Sequence, residues 1–407
     1  MRTPEYSFSR AFVHPSSSPI RELFKYLDDP EMISFAGGYP AAELFDVEGL
    51  GEASARAYRS SLSCLQYGTT DGIAPIKAEI VRLMDRRGIQ TVPEDIVVTT
   101  GSQQAFDLLL RVMVNEGDVV LVESPTYTNN IQAVRVSGAR IVAIPTDAQG
   151  LDVDALERVL SGATNAPDRP KLLYTVPTFG NPNGSTMSLQ RRLRLLELAV
   201  RHRFVVAEDD PYGDLRFSGE PMPSLRSLTG EVEGSADWVV HMASLSKIVA
   251  PGLRVAWSVA PRAIAHRCYV AKQSADVGSS PWTQRIAAEY LASGRLDAHL
   301  ARIRKEYSAK CRALCAALRG LMPGALSFHE PDGGMFVWAE LSEHVDASDL
   351  LKAALDRKVM FVPGAGFYPD IPNPGTLRLS FAAATVPGIQ EGVRRLSGAW
   401  DVVRGRR

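Results

Sequence analysis

The segment Ala243-Ser244-Leu245-Ser246-Lys247-Ile248-Val249-Ala250-Pro251-Gly252-Leu253-Arg254 sets a lysine beside two hydroxyls and ahead of an arginine. It follows Trp238–Ala243, an apolar run that reads as a strand, so Lys247 stands at a strand's C-terminal end. In open α/β sheets that edge is where ligands bind. A lysine amine there can form a Schiff base with an aldehyde. Ser244, Ser246 and Arg254 could hold a phosphate carried on the same molecule, since arginine offers a bidentate fork and serine a compact donor. The plain alternative is a surface lysine with serines as turn residues.

Other strand ends carry matching groups. Thr99-Thr100-Gly101-Ser102-Gln103 joins a strand to a helix, with Ser102 as the expected N-cap and free N–H groups facing an anion. Val206-Ala207-Glu208-Asp209-Asp210-Pro211-Tyr212 ends an apolar strand in three acids followed by a tyrosine. A carboxylate there could keep a pyridine nitrogen protonated, and Tyr212 could donate to a phenolic oxygen. A magnesium site or a solvated strand end fits the acids as well. Phe179-Gly180-Asn181-Pro182-Asn183-Gly184 is an Asn-Pro turn whose Asn181 could reach the phenolic oxygen or a substrate carboxylate. In Glu123-Ser124-Pro125-Thr126-Tyr127 an aromatic could stack on a planar ring. Arg378 interrupts the apolar run Leu377–Phe381, so it must be paired in a salt bridge or wait for an anionic ligand.

These groups need a scaffold. From about residue 95, apolar runs without strict alternation take turns with helical stretches. Strands are expected at 96–100, 119–123, 171–176, 204–207, 238–243 and 254–260. Helices are expected at 102–114, 127–137 and 188–202. Such runs suit strands covered on both faces, as in a parallel sheet. A short helix is expected at 19–28 and one long helical tract from about 283 to 321. After that come strand candidates at 335–340, 359–362 and 377–381, with a helix at 347–357. The expectation is an α/β fold, with a large domain whose mostly parallel sheet is sandwiched by helices, and a smaller α+β domain. The boundaries fall at 1–49 for an N-terminal arm with a short helix, 50–285 for the large domain and 286–407 for the small one.

The 407 residues carry 45 Lys plus Arg and 46 Asp plus Glu, so the formal net charge is −1. That balance argues against a broad polyanion or membrane-surface binder. Cys64, Cys268, Cys311 and Cys315 show no zinc spacing and fit a reducing cytosol, with Cys311 and Cys315 as unlinked thiols on one helix face. No apolar run is long enough to span a membrane, and the N-terminus lacks a secretory signal. The expected location is the cytoplasm.

Taken in order, these motifs resemble those of fold-type I pyridoxal-phosphate aminotransferases of class I/II. The likeness is carried by Ile33–Pro40, Thr100–Ala105, Phe179–Gly184 and Ser244–Arg254, and it is strongest to the 2-aminoadipate and kynurenine aminotransferase-like branch. The resemblance implies pyridoxal 5'-phosphate bonded to Lys247, with Asp209 at its ring nitrogen, Tyr212 and Asn181 at its phenolic oxygen and Tyr127 on its ring. Ser102, Gln103, Ser244, Ser246 and Arg254 would take its phosphate. Tyr67 would reach the phosphate of a neighbouring subunit in a homodimer. Arg378, with Asn181 and the Gly38 backbone, would clamp the substrate α-carboxylate, and Arg21 would meet a distal one.

The implied reaction moves an amino group from an L-amino acid (2-aminoadipate, glutamate, an aromatic or a similar one) to a 2-oxo acid, expected to be 2-oxoglutarate. The alternatives are a lyase, cyclase or decarboxylase using the same cofactor, and a non-catalytic ligand sensor. For the sensor the sequence offers no room for a DNA-binding domain, and no metal or nucleic acid is implied. Gly180 and Asn183 stand where glutamine and threonine are commoner, and Gly68-Thr69-Thr70-Asp71-Gly72 departs from the usual loop near the substrate.

Overall fold

The computed structural model describes residues 6–13, 23–60, 62–163 and 165–405. The chain enters through β1 (Ile33–Ser34), α1 (Val47–Ser60) and α2 (Ala74–Arg86). It then alternates through β2 (Ile96–Thr99), α3 (Ser102–Met113), β3 (Val119–Ser124), α4 (Thr128–Val136), β4 (Arg140–Asp147), β5 (Gly150–Leu151), α5 (Val153–Gly162), β6 (Pro170–Thr175), α6 (Leu189–His202), β7 (Val205–Asp209), β8 (Val239–Ser244) and β9 (Ala256–Val259). Helices α7 (Arg262–Ala275), α8 (Pro281–Ala292) and α9 (Leu296–Leu321) follow. The chain ends with β10 (Leu326–Phe328), β11 (Phe336–Leu341), α10 (Ala347–Leu355), β12 (Val359–Met360), β13 (Val362–Pro363), β14 (Thr376–Ser380) and α11 (Val386–Gly405).

The eight-stranded sheet has the order β2-β9-β8-β7-β6-β3-β4-β5. Its centre, from β4 to β8, is parallel, while β9 runs antiparallel to both β8 and β2. Two reversals restore β2 to the direction of β8. The C-terminal ends of β2, β3, β6, β7 and β8 therefore open on the same side. Successive strand residues alternate between faces. Val120, Val122, Leu172, Tyr174, Val205, Ala207, Val240 and Met242 join the larger core. Val119, Leu121, Leu173, Val206 and Val239 join the core on the other face.

That parity sorts the three acids of the 206–213 segment. Asp209 shares the face of Val205 and Ala207. Glu208 points the other way and is fully buried, accepting from the Leu225 and Arg226 N–H groups at 2.6 and 3.0 Å and lying 2.9 Å from His241 Nδ1. Asp210 accepts from Gly213 N at 2.9 Å. The acids thus have separate partners, and no group of side chains suited to a metal ion occurs among the described residues.

Two expectations are corrected. The tract from 283 to 321 is two helices, because the chain turns at Ser293-Gly294 with Gly294 at φ +76°. Ser102 is not the N-cap of α3. Gly101 holds that place at φ +92°, which favours glycine, and Ser102 is the first helical residue. Of the helix expected at 19–28, only a 3-10 turn at Leu23–Tyr26 lies within the described residues. All four cysteines are buried, and Cys268, Cys311 and Cys315 are free thiols.

The second sheet, β10-β11-β14-β13, is antiparallel. β1 pairs in parallel with β12, and Phe35 continues the link by donating to Met360 O at 2.8 Å and accepting from Ser380 N at 2.7 Å. The segment after Phe35 is thereby fixed above β14. This anchoring depends on Gly392 in α11, where a Cβ would come within 2.5 Å of Phe35 Cζ and 2.8 Å of Ile33 Cγ2. Gly392→Leu should cost about 1–3 kcal/mol by overpacking. It should appear as a Tm lowered by several degrees and faster proteolytic cleavage before residue 40. An unchanged melting curve would contradict the packing argument.

Candidate active site

A cavity of about 550 Å3 lies over the shared strand ends. It brings together Gly38, Ser102, Gln103, Tyr127, Asn181, Asp209, Tyr212, Ser244, Ser246, Lys247, Arg254 and Arg378. Two sequence candidates are not in it. Tyr67 is 86% exposed at the surface, and Arg21 lies outside the described residues.

Lys247 follows β8 and donates to Gly38 O at 2.8 Å. Burial lowers its pKa to about 8, aided by the positive charges of Arg378 and Arg254 and opposed by Asp209. The amine therefore loses its proton near pH 8, more than two pH units below a free lysine. Asp209 ends β7. Its Oδ2 accepts from the Tyr174 hydroxyl at 2.8 Å, while Oδ1 is buried with no hydrogen-bond partner among the described residues. Burial raises its pKa to about 7, against the Tyr174 hydrogen bond. A buried carboxylate oxygen without a donor is costly to leave alone, and a protonated ring nitrogen would supply that donor.

The corner between β2 and α3 forms an anion cradle. Arg254, itself left-handed at φ +53°, donates to Thr100 O at 3.0 Å. A Cβ on Gly101 would run into the Arg254 guanidinium. Only glycine allows that close approach. Ser244 Oγ donates to Ser246 Oγ at 2.7 Å and accepts from Ser246 N at 2.9 Å, which fixes both hydroxyls. These donors and the start of α3 suit a phosphate. Gln103 donates to Asn130 Oδ1 at 2.8 Å.

Arg378 in β14 is 1% exposed. Nη1 donates to Asn181 Oδ1 at 2.8 Å and Nη2 to Ala36 O at 2.7 Å, and Nε has no partner among the described residues. The guanidinium lies over the rings of Phe336 and Phe367, 4.3 and 5.0 Å from their centroids. Burial pushes its pKa down, yet a guanidinium keeps its charge. Among the described residues it has no carboxylate partner, so the salt-bridge alternative falls away.

Asn181 Nδ2 also reaches the Tyr212 hydroxyl at 3.5 Å. The two unusual residues of this turn are coupled. A Cβ at Gly180 would stand 2.5 Å from Asn183 Oδ1, and Asn183 braces the turn through Ser185 and Thr146.

Sequence reasoning missed three features. Tyr174 was hidden in an apolar strand, although a hydroxyl in such a run must find a partner. Asn129 donates to the Tyr127 hydroxyl at 2.8 Å, tethering that ring. Lys272, fully buried in α7, contacts Asp276 at 2.7 and 2.8 Å, Gln104 Oε1 at 3.0 Å and Ser279 Oγ at 3.1 Å. Gln104 Oε1 in turn accepts from Thr100 N at 2.8 Å. Lys272 is thus tied to the cradle's backbone, and no motif marked it.

The family profile described as aminotransferase class I and II matches residues 34–396. An aromatic-amino-acid aminotransferase of Thermococcus litoralis is 39% identical over 97% of this chain and 94% of its own length. A 2-aminoadipate transaminase of Thermus thermophilus is 40% identical over 97% of this chain and 96% of its own. The crystal structure of an α-aminoadipate aminotransferase from Thermus thermophilus, complexed with N-(5'-phosphopyridoxyl)-L-leucine, superimposes with a TM-score of 0.90 at 38% identity and covers 98% of both chains.

Two outcomes follow from the geometry. The rate at which cofactor-free protein covalently captures pyridoxal phosphate should rise about tenfold per pH unit up to about 8 and then level off, because only the neutral amine attacks. Stopped-flow visible absorbance across pH reads this, and a flat profile from pH 6 would refute it. Lys272→Met should weaken pyridoxal phosphate binding about tenfold and leave binding of phosphate-free pyridoxal unchanged. Equal losses for both would assign Lys272 to general stability instead.

Proposed function

The chain belongs to the aminotransferase class I and II family and is a pyridoxal-phosphate-dependent transaminase of fold type I, and we propose that Lys247 is its cofactor-bonding lysine and proton carrier. The observation that carries this assignment is a desolvated amine in one cavity with a buried Asp209 oxygen and an Arg378 guanidinium that has no carboxylate partner among the described residues. The relatives' names favour amino transfer over the lyase and sensor alternatives.

Bound pyridoxal phosphate supplies an aldehyde that captures amines and a protonated ring that draws electrons from the substrate. Asp209 Oδ1 would hold the proton on the ring nitrogen, with Tyr174 keeping the carboxylate ionised and oriented. Tyr212 and Asn181 would hydrogen-bond the phenolic oxygen, and Tyr127 would cover the ring. Ser102, Gln103, Ser244, Ser246 and Arg254 would hold the phosphate. Arg378 would fix the α-carboxylate beside Asn181 and Gly38, which orients the Cα–H toward Lys247. The released Lys247 amine would then take that proton as general base and give it back as general acid.

As amino donors we propose 2-aminoadipate, glutamate and aromatic amino acids, in keeping with the relatives' names, with 2-oxoglutarate as acceptor. Arg21 is assigned to a distal substrate carboxylate. Tyr67 is assigned to the phosphate of a second subunit in a homodimer, supported by the exposed Tyr58, Leu62 and Leu65 beside it. The cofactor-binding part would be residues 50–285 and the smaller part 286–407, with 1–49 serving both. The free thiols of Cys268, Cys311 and Cys315 fit a cytosolic protein, and no described helix is long and apolar enough to cross a membrane.

The test is a screen of amino acids against the loaded enzyme, read as loss of the pyridoxal absorbance and gain of pyridoxamine phosphate. Glutamate, 2-aminoadipate or an aromatic amino acid should convert it, and 2-oxoglutarate should reverse the change. Lys247→Ala should lower turnover by at least about 10³-fold. Failure of all three donor classes would refute the substrate range, and full turnover without Lys247 would refute the assignment.

A further inference from the structure

Next to the lysine-bearing cavity lies a second, open one of about 1000 Å3, between α9 and the segment that follows β7. It adjoins the first site through Asp210, the neighbour of Asp209, and Thr178, close to Asn181. On α9 it is lined by Ala301, Arg304, Lys305, Ser308 and Arg312, whose spacing puts them on one helix face. Arg86, Arg87 and Arg216 line it from the other side. Six cations therefore face two acids, Asp210 and Asp214, in a chain whose net charge is only −1.

The acids are already engaged. Asp214 pairs with Arg87, and Asp210 accepts from Gly213 N. Arg86 pairs with Asp297 at 3.1 Å, outside the lining. Four cations are left with no carboxylate in ion-pair distance among the described residues. Arg304 donates only to the Asp214 carbonyl. Arg216 donates to Ser218 O at 3.2 Å and lies over the Phe179 ring, its Nη2 buried without a partner and Asp332 beyond ion-pair reach. Lys305 and Arg312 make no hydrogen bond or ion pair with any described residue. A concave wall of one charge sign focuses the field and draws in anions.

We propose that this cavity binds a small, multiply charged oxyanion, a polyphosphate or a tricarboxylate, through Arg216, Arg304, Lys305 and Arg312. Guanidinium forks suit the planar or tetrahedral oxygen sets of such ligands. Arg216 comes from the segment after β7 and the other three from α9. One anion would therefore tie the two elements together directly behind Asp209 and the Asn181 turn. None of the residues assigned above to the cofactor or to the substrate α-carboxylate lines this space.

The test uses the pyridoxal-phosphate-loaded enzyme, so that the phosphate cradle is filled. Titration calorimetry at low ionic strength is run with tripolyphosphate and, separately, with citrate, each with and without a saturating amino acid. At least one anion should bind saturably at one site per chain in both conditions, and the one that binds identifies the source as phosphate or carboxylate. The double variant Lys305→Gln/Arg312→Gln should weaken it by at least about tenfold. Both positions are exposed and outside the catalytic cavity, so anion-free turnover should be unchanged. No saturable binding of either anion, equal binding by the double variant, or complete displacement by the amino acid would each overturn the proposal. The heat of binding does not depend on turnover, so failure here is distinct from failure of the transaminase assignment.

Discussion

The rest of the site is arranged around one buried charge. Arg378 is enclosed within β14, and every direct partner it has is neutral: the Asn181 amide oxygen, the Ala36 carbonyl and two aromatic faces. A buried cation is costly unless it is solvated or paired. Carbonyl dipoles and ring faces solvate it without cancelling its charge, so it stays ready for a carboxylate. That requirement dictates where other parts of the chain run. Ala36 must lie over β14, which is why Phe35 is pinned between β12 and β14. The Asn-Pro turn must present Asn181 from the other side. With Ala36 in place, Gly38 O falls where it receives the Lys247 amine.

The anion cradle between β2 and α3 follows the same pattern. Arg254 donates to backbone carbonyls, and the cationic Lys272 sits behind Thr100 through Gln104. Lys247, Arg254 and Arg378 share one cavity with Asp209, whose Oδ1 has no hydrogen-bond partner among the described residues. The lowered Lys247 pKa and the raised Asp209 pKa share a first cause, desolvation, and it acts in opposite directions on an amine and on a carboxyl. Shifts in these opposite directions suit the acid–base role proposed for Lys247.

Much of this was legible in the chain. Lys247, Asp209, Tyr212, Asn181, Tyr127, Ser244 and Ser246 stand just beyond apolar runs, and a parallel sheet brings the C-terminal ends of its strands to one edge. The strand positions were readable because each run had to be buried on both faces. Less was readable where no local rule applies. The acids Glu208, Asp209 and Asp210 are equivalent as letters, and strand parity in the folded sheet separates them. Arg378 looked equally suited to a salt bridge, and only its surroundings removed that option. Ser102 looked like a cap because it is a good capping residue, but Gly101, at positive φ, is the cap and Ser102 the first helical residue.

The sequence by itself determined the class of chemistry, since the type of a residue and its place at a strand end are local properties. Tertiary structure decided which groups are desolvated and which atoms go unpartnered. It enlisted Tyr174 for Asp209 and Lys272 for the phosphate cradle, although Tyr174 and Asp209 lie on different strands and Lys272 lies far along the chain from Thr100. It also gathered Arg216 with one face of α9 around a second cavity. Burial and pairing depend on contacts between distant segments, and those contacts exist only once the chain has folded.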